Sequence, residues 1–446
     1  MPVNLRISPL SERPMLFNPC MVRLLKMTDK ETNSIRIFGR AGSPEGYLLR
    51  DYLARSAVTF EWIELNSEEE CLSALGVSGF NDLRLPVVEF PGQVRLFAPG
   101  LHDIAAYLGH ITLPKYREYD VSIYGAGPAG LSAAVYAASE GLRTILIERQ
   151  APGGQAGTSS LIENYLGFPE GISGAALADR ARKQAIKFGA ELVTMSEGVK
   201  AHFKDGKIHV RLANGETLTA RTNICATGVE YRRLNLPRED KFLGHGLFYG
   251  AGAAEAPYCA NDHVYVVGGG NSAGQAVMHF AEYAAQVTML VRGSSLSQTL
   301  SKYLIQRIAS KANIKVIFNS EIAELDGEDS LAAITLHDRL SGGKSRHACS
   351  RLFVCIGGQP NTDWASDTHI LRDSEGYLLT GPDLSRGSSW PENWALARQP
   401  FYLETSVPGS FAAGDVRHGS VKRVASAVGE GAMAVTFVHR YLQERG

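Results

Sequence analysis

The sequence has little cysteine, no excess of charge and no long apolar run, and each absence excludes a class of protein. The 45 basic residues are balanced by 46 acidic ones, which argues against a nucleic-acid surface because such a surface needs a basic excess. No segment approaches the roughly 18 uninterrupted apolar residues of a membrane span. A length of 446 residues suggests about three domains. We therefore expect a cytoplasmic, globular protein without a nucleic-acid or membrane partner.

The six cysteines are too few and too scattered for the disulfide framework of a secreted domain. They stand at positions 20, 71, 225, 259, 349 and 355, and none forms C-x-x-C or a zinc-ligand spacing. Most are expected to be buried, reduced thiols, and no metal site is predicted. A redox pair between Cys225 and Cys259 is the one alternative that we keep open.

Glycine, in contrast, is abundant, and the first of two glycine-rich turns reads GAGPAG at 125–130. It follows a β-branched strand and opens an alanine-rich helix. In this pattern Gly125 permits a tight turn, Gly127 lets the backbone approach a pyrophosphate, and Gly130 lets the helix pack on the strand. Glu148 ends the next strand and can accept hydrogen bonds from an adenosine ribose. The segment therefore predicts a dinucleotide site that includes Pro128 and Ala129.

A second copy of this pattern begins at Gly268. Strand 263–267 runs into GGGNSAG, and the next strand, 286–292, ends at Arg292. Two nucleotide sites on one chain imply two cofactors, and the usual pair is FAD with a nicotinamide nucleotide. The predicted fold is thus α/β with two Rossmann-like domains. The residues expected at the second site are Gly268, Gly270, Asn271, Ser272, Ala273 and Arg292.

Residues 1–33 lack periodicity and are expected to form an extension of little structure, whereas residues 34–112 predict a separate α/β unit. Strands are expected at 35–38, 59–65 and 85–90, and helices at 44–55, after Ser67 and at 101–108. This order resembles a thioredoxin or glutaredoxin fold, with Pro86 where that family carries its cis-proline. The turn at 39–47, where the family has its C-x-x-C, holds no thiol. Ser43 is interpreted as a helix N-cap, with binding of a small thiol compound as the alternative.

From Tyr119 onward the chain is similar to the bacterial-type thioredoxin reductases. The motifs that carry the resemblance are GGQAGTSS at 153–160, ENYLGFP at 163–169, CATG at 225–228, IGGQPNT at 356–362 and SVPGSFAAGDV at 406–416. The resemblance implies an FAD-binding domain in two parts, 118–235 and 359–446. It also implies a nicotinamide-nucleotide domain, 236–358, inserted between them, and a homodimer.

The resemblance further assigns roles along the flavin. Asp415 is expected at the ribityl or phosphate part of FAD, and a helix that opens at 420–424 is expected to direct its N-terminus, with Lys422 or Arg423, at the flavin pyrimidine edge. His418 is considered as a proton donor but favoured as a surface residue. The other residues implied at the FAD site are Gly154, Gln155, Asn164, Val199, Thr227, Gly228, Gly414 and Val424.

The chain departs from the family at its redox centre. The family's C-x-x-C would occupy 250–253, where this sequence reads Gly250, Ala251, Gly252 and Ala253. In the family an acidic residue follows this motif. Here Ala254 occupies that position, and Glu255 stands one residue later. Relatives that select NADPH carry a basic cluster after the strand that ends here at Arg292, so the single arginine supports no preference between NADPH and NADH.

Three functions are consistent with these features. The leading hypothesis is an FAD oxidoreductase that has lost the dithiol and reduces a small or external acceptor directly. The first alternative is a thioredoxin-disulfide reductase that uses external thiols, and the second is a non-catalytic flavin redox sensor or docking protein. The electron donor is expected to be NADPH, NADH or a ferredoxin-type protein.

Overall fold

The structure is a computed structural model that describes residues 34–445, apart from 41, 251, 253, 386–389, 392, 393 and 395. The predicted N-terminal extension, 1–33, lies outside the described residues. Across the described part of the chain, no helix is long and apolar enough to cross a membrane.

The N-terminal unit is a four-stranded sheet with helices packed on it. Its elements are β1 Ile35–Gly39, α1 Pro44–Arg55, β2 Phe60–Glu64, α2 Glu68–Glu70, β3 Val87–Phe90, β4 Val94–Phe97 and α3 Leu101–Tyr107. The strand order is β2-β1-β3-β4, in which β1 and β2 are parallel and the other pairs antiparallel. The Leu85–Pro86 peptide bond, immediately before β3, is cis.

Helix α1 begins and ends where the sequence predicts. The Ser43 hydroxyl accepts a hydrogen bond from the Gly46 N–H at 3.1 Å, and Pro44 occupies the first helical position. The interpretation of Ser43 as an N-cap is therefore confirmed. Strand β4 was not predicted, because this edge strand is short and mostly exposed and lacks a buried apolar face.

The first nucleotide-binding unit is built from two separated parts of the chain. Its sheet has the order β7-β6-β5-β10-β9-β8, with β21 paired to the end of β10. β5, β6, β7, β10 and β21 are parallel, and β8 and β9 continue the sheet antiparallel. The elements are β5 Glu118–Tyr124, α4 Pro128–Ser139, β6 Thr144–Ile147, α5 Gly174–Lys187, β7 Glu191–Val193, β8 Gly198–Lys204, β9 Lys207–Leu212, β10 Thr217–Cys225, β21 Ser410–Ala412 and α9 Val424–Arg445.

The second nucleotide-binding unit is inserted between these parts. It combines a parallel sheet, β12-β19-β13-β14-β15, with an antiparallel sheet, β16-β17-β18. The chain crosses between the two units through β11 Val229–Tyr231 and β20 Gly358–Pro360, which pair as an antiparallel ribbon. The inserted elements are α6 Glu239–Phe242, β12 Leu247–Tyr249, β13 His263–Val267, α7 Asn271–Phe280, β14 Gln286–Leu290, α8 Lys302–Ser310, β15 Ile314–Ile317, β16 Ser320–Asp326, β17 Ala333–Asp338, β18 Lys344–Ala348 and β19 Arg351–Val354.

The N-terminal unit is packed closely on the first nucleotide-binding unit. Ala151, from the loop after β6, is 1% exposed and lies in the core of the N-terminal unit. The hydroxyl of Thr194 donates a hydrogen bond to the carbonyl of His110, and that of Thr112 donates to the carbonyl of Leu192. The two units therefore share a core rather than being joined by a free linker.

Candidate functional site

Both glycine-rich turns open into one continuous cavity of about 1860 Å³. Each turn stands at the carboxyl end of parallel strands, where α/β folds place their ligands. The predicted residues that line the cavity are Gly125, Gly127, Pro128, Ala129, Glu148, Gly154, Gln155, Asn164, Val199, Thr227, Gly228, Gly268, Gly270, Asn271, Ser272, Arg292, Gly414, Asp415, Lys422, Arg423 and Val424. Gly130 and Ala273 are buried behind the two turns and do not line it.

The first turn has the geometry of an anion site. Gly125 has a φ of +98°, and a Cβ at this position would lie 2.4 Å from the carbonyl oxygen of Ala226, so the turn requires glycine. Helix α4 has Gly127 at its N-cap and no side-chain cap, whereas the first turn of α5 is capped by Ser173. The free N–H groups at the start of α4 are therefore available to a pyrophosphate.

Glu148 holds this turn in shape. One of its carboxylate oxygens accepts a hydrogen bond from the Ala126 N–H at 2.8 Å, and the other accepts from the Gln150 N–H at 2.9 Å. Because a carboxylate oxygen has more than one lone pair, both can still accept from a ribose hydroxyl. The glycine turn, the uncapped helix and this carboxylate fit the adenosine diphosphate part of FAD.

The Asp415 loop also lines the cavity beside the first turn, where a Cβ at Gly414 would lie 2.9 Å from that of Ala129. The Lys422 ammonium group donates to the Asp415 carbonyl at 2.6 Å. Burial raises the pKa of the Asp415 carboxyl group, and the charge of Lys422 offsets part of that rise. The Gly414 N–H donates to Glu430 of α9 at 2.7 Å, and Arg417 pairs with the same carboxylate at 2.6 Å.

Glu430 and Arg417 were not predicted from the sequence. The one available signal was an acidic residue between the two glycines of GEG, at 429–431 in a helix of small and apolar residues. His418 does not line the cavity. Its Nδ1 lies 2.6 Å from an Asp373 carboxylate oxygen, and its side chain is 44% exposed.

The second turn resembles the first in geometry. Helix α7 has Gly270 at its N-cap and again no side-chain cap. The side-chain amide oxygen of Asn271 accepts a hydrogen bond from the Ser301 N–H at 2.8 Å, so this oxygen already has a partner within the protein. Arg339, from the turn after β17, donates to the Arg292 carbonyl at 3.3 Å and also lines the cavity. Glu321 lines the same region, with a carboxylate oxygen 3.6 Å from the Arg339 Nε.

Gly250 stands where the first redox cysteine is expected, and the side chain of Tyr231 occupies the space beside it. Gly250 has a φ of +94°, and a Cβ there would lie 2.5 Å from the hydroxyl oxygen of Tyr231. This hydroxyl lies 3.1 Å from that of Thr158, and burial raises the pKa of Tyr231 to about 12. Tyr231 was not predicted as a site residue. Ala253, expected at the second cysteine position, lies outside the described residues.

The five cysteines in the described part of the chain are all free and buried. Burial raises the pKa of each of Cys225, Cys259, Cys349 and Cys355 to about 12. The Cys259 thiol donates to the carbonyl of Glu255, and Cys225 accepts from the side-chain amide of Asn223. Cys225 and Cys259 are not bonded to each other in this structure.

Residues 119–431 match the family model described as pyridine nucleotide-disulphide oxidoreductase. The thioredoxin reductase of Treponema pallidum is 35% identical over 325 residues, which cover 73% of this chain and 97% of that protein. The thioredoxin reductase of Bacillus subtilis is 32% identical over 334 residues, which cover 74% of this chain and 97% of that protein. The solved thioredoxin reductase of Lactococcus lactis, in its FR conformation, superposes with a TM-score of 0.65 at 27% identity and covers 73% of this chain and 99% of that one. The solved thioredoxin reductase of T. acidophilum superposes with a TM-score of 0.65 at 28% identity and covers 74% of this chain and 100% of that one.

Proposed function

Because the chain belongs to the pyridine nucleotide-disulphide oxidoreductase family and is an FAD-dependent oxidoreductase, we propose that it passes electrons from its flavin directly to a small or external acceptor. In this proposal no internal dithiol takes part. FAD supplies the two-electron chemistry when it is bound, and the protein binds, orients and shields it.

The observation that carries the proposal is the contact between Tyr231 and Gly250. A cysteine at position 250 would have to adopt a φ of +94° and would place its Cβ 2.5 Å from the tyrosine hydroxyl oxygen. Both features disfavour any side chain there. The space that a thiol at position 250 would need in the cavity is thus filled by Tyr231, which cannot form a disulfide.

The remaining thiols support the same proposal. A disulfide cycle needs a thiolate and a second sulfur within reach. Cys225, Cys259 and Cys355 are buried, and burial raises the pKa of each to about 12, so all three stay protonated at neutral pH.

The protein's own groups are arranged for two nucleotides. The N–H groups at the start of α4 would hold the FAD pyrophosphate, and Glu148 the ribose. Lys422 and Arg423 line the cavity and immediately precede α9, so their charge and the helix dipole would favour negative charge beside them. We propose that NADPH or NADH occupies the second turn, where Glu321 beside Arg339 offsets attraction for a 2′-phosphate.

We also propose that residues 34–112 form a thioredoxin-like domain without redox thiols. The strand order β2-β1-β3-β4 and the proline before β3 support this assignment. The domain boundaries 118–235, 236–358 and 359–446 follow the same resemblance, as does a homodimer.

The test is anaerobic mixing of the purified protein with NADH, NADPH and a reduced ferredoxin in turn. Bleaching of the flavin band near roughly 450 nm reports reduction, and its return on adding a quinone or oxygen reports the acceptor. Cys225→Ser and Cys259→Ser should leave both rates within about threefold, which corresponds to under about 1 kcal/mol. A hundredfold loss in either variant would instead support a disulfide reductase, and a flavin that no donor reduces would support a redox sensor.

A further inference from the structure

Helix α1 of the N-terminal unit lies across the junction between the two nucleotide-binding units. Near its end, the Arg55 guanidinium donates to the Ala151 carbonyl at 3.3 Å and to the Gln150 side chain at 3.2 Å, both in the first unit. Earlier in the same helix, Arg50 binds Glu255, which belongs to the second unit. One rigid helix therefore contacts both units.

The Arg50–Glu255 ion pair is bidentate and buried. Nε and Nη2 of Arg50 donate to one carboxylate oxygen at 3.0 and 2.9 Å, and Nη2 also donates to the other at 3.0 Å. The two side chains are 4% and 1% exposed. The guanidinium carbon lies 4.0 Å from the Trp62 ring centroid and 5.2 Å from that of Tyr258. Solvent thus screens this pair little, and loss of Arg50 would leave the buried Glu255 carboxylate with the more distant Arg351, whose Nη1 lies 4.0 Å from one of its oxygens.

Further contacts of α1 with the second unit surround this ion pair. Pro44 packs against Gly244, and the Tyr47 ring centroid lies 5.0 Å from that of Phe248. On the other side, the core shared through Ala151 fixes α1 to the first unit. The N-terminal unit is therefore anchored on both sides of the junction.

The covalent connection between the nucleotide-binding units is narrow. The chain crosses only through β11 and β20, a ribbon with three residue pairs, which gives little resistance to rotation. Arg307 and Glu163 form an ion pair across the same junction. Their side chains are 42% and 30% exposed, so solvent screens this pair and it holds the two units together less strongly than the buried Arg50–Glu255 pair. Rotation of the second unit would have to separate Arg50 from Glu255.

We propose that Arg50 is a positioning residue that acts through Glu255 to hold the second nucleotide-binding unit in the orientation in which both glycine turns share one cavity. Arg50 does not line the cavity itself. Its effect on hydride transfer rests on the proposed function, whereas its effect on the orientation of the units does not.

The test compares the full-length wild type with Arg50→Met and Glu255→Gln. The control is Arg95→Met, which removes an Arg–Glu pair formed within the N-terminal unit. Spin labels on Lys204→Cys in the first unit and Lys311→Cys in the second, in a Cys20→Ser background, report the distance between the units by pulsed electron paramagnetic resonance.

The wild type and Arg95→Met should give one narrow distance distribution, and Arg50→Met and Glu255→Gln a broader one. Flavin reduction at saturating nucleotide should slow at least tenfold in both latter variants, with the nucleotide Kd unchanged within threefold. The double variant should be no slower than either single one, because both act through one contact. A narrow distribution in both Arg50→Met and Glu255→Gln, or an equal change in Arg95→Met, overturns the proposal. If no pyridine nucleotide reduces even the wild type, the nucleotide-donor hypothesis fails, while the distance measurement still decides the role of Arg50.

Discussion

Substitution of Glu148 by glutamine tests whether this carboxylate shapes the FAD cradle. The side chain is 8% exposed and accepts backbone hydrogen bonds from both Ala126 and Gln150. An amide offers only one acceptor atom, so one of these N–H groups would face an NH₂ group and lose its partner. A hydrogen bond to a charged group contributes about 1.5–3 kcal/mol.

Taking about 2 kcal/mol as the loss, FAD should bind about 30-fold more weakly to Glu148→Gln, at about 1.4 kcal/mol for each tenfold change. The assay is titration of FAD into apoprotein, followed by quenching of flavin fluorescence. Glu216→Gln, an exposed carboxylate in the turn between β9 and β10, is the matched control and should leave the Kd unchanged. A change of less than about threefold in Glu148→Gln would refute the argument, because the turn would then keep its shape without the carboxylate.

Three further predictions follow from the site. First, NADPH should be preferred over NADH by less than about tenfold in kcat/KM, or about 1.4 kcal/mol, because Glu321 opposes the arginines; strong NADPH selectivity that Arg292→Ala alone removes would contradict this. Second, because burial raises the pKa values of Cys225, Cys259 and Cys355 to about 12, these thiols gain reactive thiolate only near that pH. In a Cys20→Ser background, alkylation of the native protein by iodoacetamide should therefore stay slow up to about pH 10 and become fast in denaturant; rapid labelling of these three thiols in the native protein at pH 8 would disprove their burial. Third, Gly250→Ala should lower the free energy of unfolding by more than about 1 kcal/mol through its positive φ and the contact with Tyr231. Tyr231→Ala should recover part of this loss in a denaturant titration, and full additivity of the two changes would rule out their contact.

The sequence by itself determined the features that depend on neighbouring residues. The bounds of α1 follow from Ser43 and Pro44, whose capping and backbone preferences act within one helical turn. The two glycine turns could also be predicted from the sequence, because each combines a strand, a turn and a helix within a short segment. Family membership and the FAD cofactor rest on the same local motifs and were predicted from them.

Only the tertiary structure decided which distant residues meet. Arg50 and Glu255 are 205 positions apart, and no local pattern pairs a helix of the N-terminal unit with a turn of the inserted one. Three further contacts also join residues that are distant in sequence. Tyr231 occupies the space beside Gly250, Arg339 donates a hydrogen bond to the Arg292 carbonyl, and Glu430 accepts one from the Gly414 N–H. Side chains from separate elements are brought together by packing, and short-range sequence patterns carry no record of that packing.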